Sequence, residues 1–269
     1  MRRPSSVTRY LASAAVTALL ASGLGGCQTM GDVAGALTSK STEANLDSDP
    51  RRAAEVYGGR CRANPKDTDA ALRYGQVLRS TGQRAQAVAM LEQASITNPG
   101  NKALLASYGR ALVDNGNFKQ AYDVLSRAHS PANPDWRILS VQGTALDQMG
   151  KHEEARGYYA SALRIAPDEP SVLSNLGLSY VLSRDLPRAE ETLRKAQASG
   201  RADARVRQNL ALAVGLQGRF AEAESIARAD LPPDEAAANV AYLKQMLNRK
   251  VPRTVARGKP PVMAQDPSD

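Results

Sequence analysis

The chain is short of nearly everything that enzymes use. Of its 269 residues only two are histidine and two are cysteine, and aromatics make up 4%. His129 and His152 stand far apart, and Cys27 and Cys61 share no spacing with them that a metal would need. "HEEAR" from His152 lacks the second histidine of a zinc-protease helix, and neither "GLGG" nor "GKPP" sits where a phosphate loop would. No nucleophile, base and oxyanion donors converge, so the sequence reads as non-catalytic, with no cofactor and no metal. With two Phe, one Trp and nine Tyr, burial has to come from Leu, Val, Ile and many Ala. That composition suits closely packed helices. Long apolar runs are missing too, apart from "YLASAAVTALLASGLGG" near the start, which is too short to span a bilayer comfortably. The formal charge of +8 falls to +5 once Arg2, Arg3 and Arg9 are removed with a leader. No basic helix interleaved with aromatics appears, which argues against a nucleic-acid partner.

Residues 1–26 have the plan of a secretory signal: three arginines, an apolar stretch, then a cysteine. The run Leu24 to Cys27, "LGGC", resembles the bacterial lipobox, with Gly25 where Ala or Ser is usual. The resemblance implies cleavage before Cys27, acylation of its thiol and stable anchoring through several acyl chains. Gln28 follows in place of the Asp that would retain a lipoprotein at the inner membrane, which implies the periplasmic face of the outer membrane. With Cys27 acylated, Cys61 has no partner and reads as a small apolar residue on its helix.

What the chain does have is a period of 34. Gly75 is followed at that step by Gly109, Gly143, Gly177 and Ala211, and Ala87 by Ala121, Ala155, Ala189 and Ala223. A third small column, Ala94, Ala128, Ala162 and Ala196, lapses at Asp230. Each copy reads as two helices. Glycine ends the first at Gly82, Gly116, Gly150 and Gly218, with Arg184 predicting a differently built turn in the fourth copy. Proline closes the second at Pro65, Pro99 and Pro167, whereas Pro134 comes one place late and Arg201 replaces the last, predicting looser joints there. The Gly75 and Ala87 columns are expected where the two helices of a hairpin cross most closely. Leu78, Leu112, Leu146, Tyr180 and Val214 then face Leu91, Leu125, Tyr159 and Leu193.

This pattern resembles the tetratricopeptide repeat and implies an all-α solenoid of antiparallel hairpins. The expected organisation is a signal at 1–26, a flexible tether at 27–48, a half-repeat at 49–67 and five full repeats at 68–237. A capping helix follows at 238–250, within a helical stretch that opens after Pro232 and Pro233 with Asp234 as its N-terminal cap, and a disordered tail at 251–269.

Stacked hairpins of this kind present first helices on a concave wall that takes up peptides or partner helices. In register, the groove residues are Arg73, Gln76, Arg79, Arg110, Asp114, Arg137 and Thr144, then Asn175, Leu178, Leu182, Asn209, Leu212 and Leu216. The early part is polar and basic and the late part apolar, which points to a partner with an acidic stretch beside an apolar one.

Three stretches, "NPDWRILSVQGTALDQMGKHEEARGYYASALRIAPDEPSVLSNLGLSYVLSRDLPRAEETLRKA", "RVRQNLALAVGLQGRFAEAESIA" and "LPPDEAAANVAYLKQML", resemble in their order the TadD-type lipoproteins of the tight-adherence (Flp) pilus assembly system. The resemblance implies an assembly factor whose partner is a secretin or another pilus component. An adaptor that recruits peptidoglycan hydrolases is the alternative of another class.

Overall fold

The computed structural model describes residues 46 and 49–248. The leader, Cys27, the tail from residue 249 and all of the expected tether except Leu46 lie outside the described residues. From Pro50 onward twelve helices follow one another among the described residues, with no strand between them. They are α1 (Pro50–Ala63), α2 (Thr68–Ser80), α3 (Arg84–Thr97), α4 (Lys102–Asp114), α5 (Phe118–Ala128), α6 (Trp136–Gln148), α7 (His152–Ile165), α8 (Pro170–Leu182), α9 (Leu186–Ala198), α10 (Ala204–Leu216), α11 (Phe220–Ala227) and α12 (Pro233–Asn248). Helices α2 to α11 pair into five hairpins, α1 packs on α2 as a lone second helix, and α12 packs on α10 and α11. None of these helices is long and apolar enough to cross a membrane.

Every first helix starts on a side-chain cap that recurs at the period of the repeat. Asp67, Asn101, Asp135, Glu169 and Asp203 each accept a hydrogen bond from a backbone N–H of the turn that follows. This satisfies one of the otherwise orphaned donors at a helix start. Second helices α3, α5, α7 and α11 have no such bond, and only α9 has one, from Asp185.

The turns inside the hairpins share one construction. In the second hairpin Gly116 takes φ 86°, which lets Asn117 donate its N–H back to the carbonyl of Leu112 at 2.8 Å. Contrary to the sequence expectation, the fourth hairpin builds the same turn with Arg184 at φ 64°, and Asp185 N–H reaches Tyr180 O at 2.9 Å. The hydrogen bonds and the Asp185 cap hold the arginine in a conformation that glycine would adopt without strain.

The glycines of the small column leave no room for a side chain. A Cβ built on Gly177 would lie 2.5 Å from Leu193 Cγ, one on Gly143 2.6 Å from Tyr159 Cε1, and one on Gly75 2.8 Å from both methyls of Leu91. Each glycine therefore makes room for a large, fully buried side chain sixteen residues later, and these side chains share their core clusters with the Leu78 column, as expected. The Ala87 column is buried throughout. The third column lapses at Asp230 because α11 ends at Ala227, and Asp230 instead forms an ion pair with Arg207, whose Nε donates at 2.7 Å.

Two joints differ in their fastening. After α5, Pro131 and Pro134 stop the helix early, and His129 Nε2 meets Gln142 Oε1 at 3.0 Å across a seven-residue connector. After α9, Arg201 reaches back to Glu169 at 3.4 Å. At the last helix Pro233 takes the first position, where its missing N–H and fixed φ suit a helix start, so Asp234 lies within the first turn and does not precede it as a cap. Cys61 is half-buried against the first hairpin's core, and burial pushes its thiol pKa up.

Candidate functional site

First helices run close to one another along the array, α2 on α4, α4 on α6, α6 on α8, α8 on α10 and α10 on α12, whereas second helices keep their backbones farther apart and meet through long side chains, as Tyr122 does with Tyr158 and Arg194 with Glu222. A row of elements closely spaced on one side and more widely spaced on the other must curve, with the closely spaced side inward. The first helices therefore form the inner wall.

At its start the wall is basic. Arg79 Nε lies 2.6 Å from Asp114 Oδ2 on the next first helix, a tie that occupies both. Arg110 is half-buried and has no ion-pair partner among the described residues. Burial lowers its pKa, and the positive charges of Arg79 and Arg137 lower it further while Asp135 opposes them. Arg137 is exposed and lies 4.4 Å over the Trp136 ring, which fixes its guanidinium by cation–π attraction. Thus Arg79, Arg110 and Arg137, from three successive first helices, lie near enough for the outer two charges to act on the middle one. Arg73 is apart from them, exposed and within 4.0 Å of Asp69 on its own helix.

The asparagines bond within the wall. Asn175 Nδ2 donates to Ser140 Oγ at 3.0 Å and Asn209 Nδ2 to Ser174 Oγ at 2.9 Å, so both tie one hairpin to the one before. Leu178 is half-buried and Leu182 is 44% exposed. With Leu212 and Leu216 they occupy two columns that are polar or charged in the first three hairpins, at Gln76, Ser80, Arg110, Asp114, Thr144 and Gln148. Beyond them α12 closes an apolar groove of about 720 Å³ whose walls include Ala211, Leu212, Leu216, Ala227, Leu231, Leu243 and Met246.

Sequence reasoning missed one buried polar cluster. Asp147 is 6% exposed; its Oδ1 accepts from Ser179 Oγ at 2.7 Å and meets His152 Nδ1 at 2.9 Å, and its Oδ2 accepts from the Tyr159 hydroxyl at 2.9 Å. One hairpin earlier the positions of Asp147, Tyr159 and Ser179 hold Val113, Leu125 and Ala145, so the contrast along the columns is the signal that could have revealed it. Burial, and then the carboxylate, push the Tyr159 hydroxyl pKa far up, which keeps it a donor. The cluster locks α6, α7 and α8 together. Among the described residues no group of three His, Cys, Asp or Glu side chains is placed to hold a metal ion.

Residues 78–142 and 148–213 match the family model described as tetratricopeptide repeat. No curated protein matches the sequence. Among solved structures, the chain is similar to PilW, described as a widely conserved type IV pilus biogenesis factor, at 19% identity and a TM-score of 0.65, covering 78% of this chain and 98% of that one. It is similar also to pilF of Pseudomonas aeruginosa, at 17% identity, TM-score 0.54, 81% of this chain and 93% of the other. A third is TTC0263, a tetratricopeptide-repeat protein of Thermus thermophilus, at 23% identity, TM-score 0.58, 66% and 98%. Proteins with this scaffold bind peptides or proteins in a groove and are generally non-catalytic. Helix packing, the 34-residue register and these matches agree: the chain is a tetratricopeptide-repeat protein, folded as a solenoid of helical hairpins.

Proposed function

We propose that this chain is a non-catalytic scaffold of pilus assembly, anchored through an acylated Cys27 to the periplasmic face of the outer membrane. In this role its inner wall holds a segment of a secretin or another pilus component. The observation that carries the reading is the inner wall itself, a half-buried, unpaired Arg110 between Arg79 and Arg137 at one end and an apolar groove at the other. Such a wall suits a protein segment with an acidic stretch beside an apolar one. The lipobox-like "LGGC", the three stretches similar to TadD-type lipoproteins and the likeness in fold to two pilus proteins support the setting.

Photo-crosslinking in the producing cell, from probes at Arg110 and Leu178, tests the partner. Capture of a secretin or pilus component is the expected result, and capture of peptidoglycan hydrolases alone would replace this reading with the adaptor reading. Cys27→Ser should move the protein from the membrane to the soluble fraction; retention on the membrane would remove the lipid anchor from the proposal.

A further inference from the structure

The fifth hairpin lacks a side chain that the other four possess. Leu91, Leu125, Tyr159 and Leu193 each fill the space over a glycine on the partner helix and are 0–1% exposed. The next position in that column is Ala227, and the glycine opposite is replaced by Ala211. Because α11 ends at Ala227, the chain brings no other large residue into the space from that helix. Leu231 and Leu243 border it, and the groove remains open, with Tyr242 64% and Met246 49% exposed along α12. A groove of this size holds one side chain together with the segment that carries it. An apolar surface left uncovered at the end of a solenoid, where a polar cap is the rule, marks a contact site.

We infer that this groove takes a single large apolar side chain, leucine, methionine or phenylalanine, from a partner protein whose acidic stretch lies along Arg79, Arg110 and Arg137. The inference rests on the groove reading above and adds the anchor and its place. The other four hairpins state what fits: a bulky apolar group over a small residue. Continuity supports a segment arriving from the basic end, because Leu178, Leu182, Leu212 and Leu216 lead along the wall to the groove. Charge complementarity selects a partner over the chain's own tail. Residues 249–269 contain five cations, Arg249, Lys250, Arg253, Arg257 and Lys259, against Asp266 and Asp269. A second copy of this chain is likewise net positive.

The test uses two fluorescein-labelled synthetic 20-residue peptides, an acidic tetrapeptide joined by a Gly-Ser linker to a helical turn bearing one leucine, in both orders. At least one should bind the full chain one to one. The double variant Ala211→Gly/Ala227→Leu restores the pairing of the other hairpins and fills the space. It should weaken binding at least tenfold without lowering the melting temperature. Replacing the peptide's leucine by alanine should weaken binding to the unaltered protein equally and cost nothing further in the double variant. Met246→Glu, at an exposed position, charges the same wall and should reproduce the loss even where the double variant folds poorly. If the double variant and Met246→Glu bind like the unaltered protein while Arg110→Glu weakens binding, the groove reading stands and the anchor is refuted. If Arg110→Glu has no effect either, or neither peptide binds, both readings fail. Tenfold tighter binding after deletion of residues 249–269 would assign the groove to the tail. A dimer that dissociates in the double variant would assign it to a second copy, and each of these results overturns the inference.

Discussion

The same substitution should have unequal effects at two helical glycines. Gly177, in the middle of α8, faces Leu193, whose Cγ and Cδ2 would lie 2.5 and 2.9 Å from an added Cβ, and Leu193 is fully buried, with no free direction to retreat. Gly157, in α7, is exposed and has nothing within 4 Å of an added Cβ. Alanine is favoured over glycine in a helix by about 1 kcal/mol at either place. At Gly177 the overpacking opposes this with about 1–3 kcal/mol. The helix preference cancels in the comparison, so the two variants should differ by the overpacking alone. For a domain of this size 1 kcal/mol shifts the melting temperature by about 2–4 °C. Gly157→Ala should therefore melt about 2–4 °C above the unaltered protein, and Gly177→Ala about 2–12 °C below Gly157→Ala, followed by circular dichroism at 222 nm. Equal gains at the two sites would refute the claim that glycine is required where a large residue sits over it.

Three further outcomes follow from the structure. Asp147→Ala should destabilise the protein on the order of 2–4 kcal/mol in chemical denaturation, since the Tyr159 and Ser179 hydroxyls lose their acceptor. The triple variant Asp147→Val/Tyr159→Leu/Ser179→Ala, which copies Val113, Leu125 and Ala145, should recover most of that loss, and failure to do so would mean the polar cluster does not act as a unit. Arg184→Gly should stabilise by roughly 0.5–1 kcal/mol by removing left-handed strain from the fourth turn, and a loss of stability would show that the arginine side chain matters more than its φ. Hydrogen bonds from Arg194 and Arg219 lower the pKa of Glu222, and one from Arg207 lowers that of Asp230. Carboxylates with depressed folded-state pKa values add stability above the unfolded pKa of about 4, and it is lost as the pH falls through the folded values. The melting temperature should thus hold between pH 7 and about 5 and drop below about 4, less so in Arg207→Gln; a flat profile would count against these pairs.

The period and the helix pairs were legible in the sequence because each depends on residue types recurring at a fixed step. The pairing of Gly177 with Leu193 was not, since columns show which residues recur and not which columns meet across a hairpin. Arg184 misled because backbone hydrogen bonds can enforce a conformation that composition argues against. The cap column escaped notice although it keeps strict register, because Asp, Asn and Glu all serve in it. Asn175 and Asn209 looked like groove residues on position alone, while their use depends on Ser140 and Ser174 one hairpin earlier.

No helix among α1 to α12 touches another more than two places away along the chain. As the polypeptide emerges N-terminus first from a pore or tunnel, every hairpin can close on the one before without waiting for anything still inside, and the five side-chain caps give each new hairpin its own starting signal. The protein can thus be assembled in step with its own delivery, and a stalled chain would expose little more than one unfinished face.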